Sequence, residues 1–197
     1  MSPTIGSRPL MDESGFACFE ASLKQSHCYL EYGAGSSTVY ACNAAKIKTV
    51  ISVESDQKWA DEVRSHLAGT TSNLHLQHCD IGPVSAWGVP VNGDRVQDFW
   101  QYMVAPWTIA GRIGELPDTI LIDGRFRVAA FLYSLLCARV GTRILFDDYF
   151  DRPPYSVVEE FCTLSERHDR MAVFIATKTY SITGIAAKIA QYSVIWT

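Results

Sequence analysis

The sequence lacks the features that mark nucleic-acid-binding and membrane-spanning proteins. It contains no basic stretch, and its 197 residues carry a formal net charge of −4, which argues against a surface that grips a nucleic-acid backbone. No apolar run approaches the roughly 20 residues that a transmembrane helix needs. Residues 1–9 contain no apolar core of a signal peptide, so we expect no secretory leader.

The cysteines form neither a disulfide framework nor a metal-binding pattern. They are scattered, most of them lie inside apolar runs, and no CxxC pair occurs. The six are Cys18, Cys28, Cys42, Cys79, Cys137 and Cys162. Because thiols that stay reduced in a core are typical of intracellular proteins, we expect a cytoplasmic protein. From the mild charge and the lack of a long apolar run we expect a small-molecule partner and no nucleic-acid or membrane partner. The oligomeric state has no signature in the sequence.

Apolar runs that suit buried strands alternate with segments of helical periodicity along the chain. With 48% hydrophobic residues, a large core is possible, and the length fits one domain over residues 1–197. No internal repeat or linker interrupts it. The alternation predicts an α/β protein with an open, mostly parallel sheet covered by helices on both faces.

The predicted elements include seven strands, of which the last is expected to run antiparallel. The strands are expected at 28–32, 48–53, 74–79, 119–122, 142–146, 171–177 and 192–196. The helices are expected at 11–25, 36–45, 56–67, 99–109, 125–140 and 155–164.

The most informative stretch is residues 28–40, where a buried strand leads into a turn with Gly33 and Gly35 and then into a helix. Glycines suit such a turn because it needs unusual backbone angles, and because a ligand must approach bare backbone at the helix N-terminus. This pattern predicts a nucleotide-type cofactor site.

The charge of Glu31, two residues before the first glycine, bears on which cofactor binds. A dinucleotide would place its pyrophosphate against this loop and be repelled by a carboxylate. A ligand that carries an ammonium and a sulfonium would be attracted. We therefore favour S-adenosylmethionine over NAD.

The stretch resembles the first motif of the class I S-adenosylmethionine-dependent methyltransferases, an acidic residue followed by Gly-x-Gly. Here these are Glu31, Gly33 and Gly35, while Ser37 stands where the family often has a third glycine. The resemblance implies a three-layer Rossmann-like sandwich. It also implies a set of cofactor-binding residues: Glu31, Tyr32, Gly33, Gly35, Ser36, Ser37, Glu54, Ser55, Asp80, Ile81 and Asp123.

Two of these acids follow the second and third predicted strands. Glu54 lies about 20 residues beyond the glycine turn, the spacing of a carboxylate that binds ribose hydroxyls. That spacing fits both NAD and S-adenosylmethionine, and the family resemblance assigns Glu54 to the ribose. By the same resemblance Asp80, after the third strand, is the candidate for the adenine amino group.

Three further acids end the fourth and fifth predicted strands, namely Asp123, Asp147 and Asp148. Carboxylates crowded together repel one another unless a cation or nearby arginines offset them, and an oxygen-only ligand set suits Mg²⁺. With Tyr149, this arrangement resembles the metal site of catechol-type and macrolide-sugar O-methyltransferases. The resemblance implies Mg²⁺ bound by the three aspartates, with Asp123 and Asp147 as catalytic residues.

The acceptor side offers weaker candidates. Residues 81–117 form a long aromatic connection, expected to be a lid or substrate wall, or equally a core-packing insertion or dimer surface. Arg125 lies at the start of a helix, where the helix dipole disfavours cations. We therefore expect it to pair with a negative charge, either Asp123 or an anionic substrate group. The substrate candidates are Arg125, Trp87, Trp107 and Tyr149.

The first hypothesis is thus a methyltransferase that acts on a small molecule, with Mg²⁺-assisted O-methylation as its most specific form. An NAD-dependent oxidoreductase is the second. A non-catalytic protein that binds an adenosyl ligand is the third, since no residue is a convincing general base and no lysine lies near the fourth strand.

Overall fold

A seven-stranded sheet forms the centre of the protein in the computed structural model, which describes residues 4–196. The strands are β1 (Cys28–Tyr32), β2 (Thr49–Glu54), β3 (Asn73–His78), β4 (Thr119–Ile122), β5 (Arg143–Phe146), β6 (Leu164–His168) and β7 (Met171–Ile175). The α-helices are α1 (Glu13–Leu23), α2 (Ser36–Asn43), α3 (Gln57–Ser65), α4 (Trp100–Ile113), α5 (Arg127–Cys137) and α6 (Ile182–Tyr192).

The strand order is β3-β2-β1-β4-β5-β7-β6. Strands β1 to β5 are parallel to one another, and β7 runs antiparallel between β5 and β6. With helices on both sides, this is the predicted three-layer Rossmann-like sandwich, so the fold class is confirmed. The carboxyl ends of β1 to β5 meet at one edge of the sheet, where such folds bind ligands.

The central strands are apolar because both of their faces are covered. Every residue of β1, β2 and β4 is buried. One core cluster packs α4, α5 and α6 against one face, around Tyr32 and Phe131. The other packs α1, α2 and α3 against the opposite face, around Phe19 and Tyr29.

The last third of the chain differs from the prediction. Residues 192–196 were expected to be a strand, but α6 ends at Tyr192 and Trp196 packs its ring against Phe99, with the ring centroids 5.7 Å apart. The seventh strand is instead β6, in a stretch expected to end a helix. Its sequence, Leu-Ser-Glu-Arg-His, is half exposed at the sheet edge, so it lacks the apolar run by which buried strands are recognised.

Residues 81–117, expected to be a lid or insertion, consist of two different parts. The second half is α4, a core helix with Tyr102, Met103 and Ala110 buried. The first half contains a small hairpin over residues 84–90, closed by a bridge between Val84 and Pro90. Within residues 81–117, the hairpin and the 3-10 turns that follow it lie outside the helix and strand layers. Among the described residues, no helix is both long enough and apolar enough to cross a membrane.

Candidate functional site

Two glycine turns meet at the centre of the sheet edge. Gly33 after β1 has φ +91°, and a Cβ there would lie 2.7 Å from Gly124 Cα and 2.9 Å from Gly124 N. A Cβ on Gly124, after β4, would lie 2.7 Å from Gly33 N. The two backbones therefore touch, and only glycine fits at both positions. Gly124 was not among the predicted site residues, although its place directly after a strand-end acid was a usable signal.

Glu31 is completely buried beneath this turn. Its carboxylate accepts hydrogen bonds from the hydroxyls of Tyr29, Ser37, Thr38 and Ser52. Burial raises the pKa of Glu31, although these hydroxyls counteract the shift. A ligand cannot touch this side chain, which corrects the expectation of a direct contact. Glu31 positions Ser37 and Thr38 at the start of α2 and contributes charge from below.

Glu54 lies at the end of β2 and is bonded to the loops on both sides of it. Its Oε2 accepts from Ala34 N at 3.2 Å, and its Oε1 accepts from Ser55 N at 2.7 Å and Asp56 N at 2.9 Å. Burial raises the pKa of Glu54 to about 7. The carboxylate thus ties the glycine turn to the β2 end.

The 84–90 hairpin lies directly over Glu54. Ser55 Oγ donates to the Gly88 carbonyl at 3.0 Å, and a Cβ on Gly88 would lie 3.1 Å from Glu54 Oε1. Both Trp87 and Gly88 have positive φ, +65° and +67°. A bulky residue in that region is strained, and Glu54 is only 6% exposed as a result of this cover.

The remaining predicted cofactor residues differ in whether their side chains are exposed at the site or buried in the core. Asp80 is exposed at the β3 end, where Gly82 N donates to Oδ1 at 3.0 Å and lowers its pKa. Ile81 is buried. The Tyr32 side chain points into the core and donates to the Met103 carbonyl at 2.8 Å, so only its backbone remains near the site. Ser36 Oγ accepts from Gly6 N at 2.9 Å.

The structure brings Asp123, Asp147 and Asp148 together, with one oxygen of each within 4.8 Å of the others. Arginines already pair with all three. Arg127 contacts Asp123 Oδ1 at 2.9 Å and Asp148 Oδ2 at 3.1 Å, and Arg170 contacts Asp147 Oδ1 at 3.3 Å. Burial, then repulsion from Asp123 and Asp148, raises the pKa of Asp147.

These arginines do not fit a Mg²⁺ site. Carboxylate oxygens are the right ligand type, but an arginine contacts each carboxylate, and Arg152 NH2 adds a third cation 3.7 Å from Asp148. A divalent ion would meet two or three positive charges at contact distance. Metal binding by the three aspartates therefore stays a prediction that the ion pairs argue against, and no chemical step is derived from it.

Two of the predicted substrate residues are core residues instead. Trp107 is 7% exposed and donates through Nε1 to Tyr32 OH at 3.0 Å. Tyr149 is 4% exposed and donates to Glu159 at 2.8 Å. Their aromatic rings drive packing, and neither can reach a substrate. Trp87 is 59% exposed on the hairpin, and Arg125 lies partly buried near the end of β4.

The chain is similar over nearly its whole length to a methyltransferase-like protein from Silicibacter pomeroyi DSS-3, at 30% identity. The match covers 96% of this chain and 100% of that one, with a TM-score of 0.85. The chain belongs to the class I methyltransferase superfamily. No protein-family model matches this methyltransferase, and no curated protein matches its sequence.

Two other solved structures share the fold of this methyltransferase. A proposed caffeoyl-CoA O-methyltransferase from Staphylococcus aureus is 10% identical, covers 87% of each chain and has a TM-score of 0.58. A methyltransferase from Geobacter sulfurreducens is 13% identical, covers 86% of this chain and 82% of its own, and has a TM-score of 0.51. At such identities the likeness concerns architecture alone.

Proposed function

We propose that this methyltransferase uses S-adenosylmethionine to methylate a small molecule held at the ends of β4 and β5. The observation that carries the proposal is the Gly33 turn, which packs on Gly124 and is tied through Ala34 N to the Glu54 carboxylate. Bare backbone and a strand-end acid are thereby held in one rigid unit, as an adenosyl ligand requires.

The charge of this unit supports a cationic ligand. Glu31 and Glu54 accept hydrogen bonds only from hydroxyls and backbone N–H groups, and neither forms an ion pair within residues 4–196. When these carboxylates are ionised, no cation of the described chain cancels their negative charge. It attracts a ligand with an ammonium and a sulfonium and repels a pyrophosphate.

The hairpin over Glu54 acts in this proposal as the cofactor cover. A ribose hydroxyl donates to the carboxylate after the 84–90 hairpin shifts, because Gly88 now occupies the approach. The strained conformation of Trp87, next to Gly88, marks where that movement takes place. The lid function of residues 81–117 is thus assigned to the hairpin alone.

On the acceptor side, Asp123 is the carboxylate that can reach a substrate. Its side chain is 34% exposed, against 21% for Asp148 and 4% for Asp147. Arg127 fixes Asp123 by the 2.9 Å contact to Oδ1. Asp123 accepts the hydrogen bond of the acceptor hydroxyl and takes its proton. Bound S-adenosylmethionine supplies the electrophilic methyl group.

Calorimetry tests the cofactor first. We expect S-adenosylmethionine and S-adenosylhomocysteine to bind at micromolar to millimolar concentration and NAD not to bind. NAD binding without adenosyl-ligand binding would support the oxidoreductase instead, and no binding of either would refute the proposal. Methyl transfer from labelled S-adenosylmethionine to a broad acceptor panel then separates an enzyme from a protein that only binds the ligand.

A further inference from the structure

Two arginines lie side by side at the start of α5, and the structure treats them differently. Arg127 is 4% exposed and makes ion pairs with Asp123 and Asp148. Arg125 makes no ion pair and no side-chain hydrogen bond within residues 4–196, and its Nε is buried without a partner. A buried N–H group without a partner is costly, so the Nε of Arg125 has an unmet requirement for an acceptor group.

A second buried donor near Arg125 also lacks a partner. Tyr155 is 4% exposed, its ring packs against Phe146 with centroids 4.9 Å apart, and its hydroxyl is buried without a hydrogen bond. Phe146 ends β5 and pairs with Ile122 at the end of β4, three residues before Arg125. The two unpartnered donors therefore belong to one region at the β4 and β5 ends.

We propose that Arg125 and Tyr155 bind an anionic group of the methyl acceptor, a carboxylate or a phosphate. This inference rests on the proposed function, because it names the substrate class of the same site. A guanidinium and a phenol hydroxyl supply the donors that such an anion needs. Asp123 lies only two residues before Arg125. Its carboxylate repels the anionic group and accepts a hydrogen bond from the nucleophilic hydroxyl. The acceptor thus carries its nucleophilic hydroxyl next to its anionic group.

The test uses the full chain saturated with S-adenosylhomocysteine, titrated in a calorimeter with inorganic phosphate or with acetate, and with chloride at matched ionic strength. We expect saturable binding of at least one of the two anions, and the stronger one identifies the class. Arg125→Gln should weaken it about tenfold or more, and Tyr155→Phe about threefold. Arg139→Gln is the control, because Arg139 pairs with Asp118 before β4, at the opposite edge of the sheet.

Tyr155→Phe keeps the test decisive if Arg125→Gln does not fold. It removes only a hydroxyl without a partner, so the melting temperature should stay unchanged or rise while anion affinity falls. Equal anion affinity in wild type, Arg125→Gln and Tyr155→Phe would overturn the inference. So would the absence of saturable binding of both anions to wild type. Failure of wild type to bind S-adenosylhomocysteine would overturn the proposed function instead.

Discussion

The two halves of the site compensate their buried acids in different ways. At the β1 and β2 ends, Glu31 and Glu54 accept from hydroxyls and backbone N–H groups. At the β4 and β5 ends, Arg127 and Arg170 neutralise the aspartates. Neutral donors stabilise a carboxylate but leave its charge in place, whereas arginines cancel it. The first half is therefore suited to a cationic ligand, and the second to a neutral or anionic one.

The largest effect on stability is expected from removing Arg127, the cation shared by the aspartates at the β4 and β5 ends. Arg127→Met leaves Asp123 and Asp148 without their shared partner in a site where Arg127 is 4% exposed. We expect a loss of about 3–5 kcal/mol in the free energy of unfolding. Urea denaturation measures it, with Arg139→Met as the exposed control at below about 1 kcal/mol. Similar losses in the two variants would mean that Arg127 does not hold the cluster together.

At the β1 and β2 ends, the second prediction concerns the close approach of Gly33 and Gly124. Gly33→Ala places a Cβ 2.7 Å from Gly124 Cα, whereas Gly69 has nearly the same φ, +90°, with nothing within 4 Å of its Cβ position. Gly69→Ala thus carries the backbone strain without the clash. We expect Gly33→Ala to be less stable than Gly69→Ala by about 1–3 kcal/mol.

The affinity for the cofactor should also differ between the Gly33→Ala and Gly69→Ala variants. Gly33→Ala should abolish calorimetric binding of S-adenosylhomocysteine, because the turn must shift away from Ala34 and Glu54. Gly69→Ala should bind as wild type does. A Gly33→Ala protein with normal affinity would place the cofactor elsewhere.

The burial of Glu54 predicts a dependence of stability on pH. Its pKa is raised from 4.5 to about 7 by burial, so the folded state holds a proton that the unfolded state releases. Stability should therefore fall as pH rises from about 4.5 to 7, by on the order of 2 kcal/mol. Glu54→Gln should flatten this part of the profile. A profile in wild type that rises over the same window would contradict the environment described for Glu54.

Affinity for S-adenosylhomocysteine should change in the opposite direction to stability. The ionised Glu54 carboxylate accepts ribose hydroxyls better than the protonated form does, so binding should strengthen as pH rises through about 7. Calorimetry at pH 6 and pH 8 measures this. Equal affinities at the two pH values would show that Glu54 does not bind the ribose.

The smallest effect is expected from a metal. Because arginines already offset Asp123, Asp147 and Asp148, added Mg²⁺ should not raise the melting temperature beyond sodium chloride of equal ionic strength. EDTA should leave methyl transfer unchanged. A saturable increase with Mg²⁺ would show binding to the folded state and would favour the metal site that the sequence predicted.

Signals carried by adjacent residues were enough to predict most of the fold. The apolar runs of β1, β2 and β4 are recognisable because both faces of these strands are buried. The β6 sequence has one apolar residue, Leu164, followed by four polar ones at a sheet edge, so nothing local separates it from a helix end or a loop. Tyr192–Trp196 has the composition of a strand, yet Trp196 packs on Phe99 across the core.

The sequence by itself determined the glycine turn, the acids at the strand ends and the α/β layering, because each follows from the spacing of neighbouring residues. Only the tertiary structure decided which side chains are satisfied. Arg125 and Arg127 share one local context, yet the Asp148 that Arg127 contacts lies 21 positions along the chain. Likewise Ser52, from another strand, helps to enclose Glu31. Burial and pairing depend on contacts between distant segments, and those contacts exist only in the folded chain.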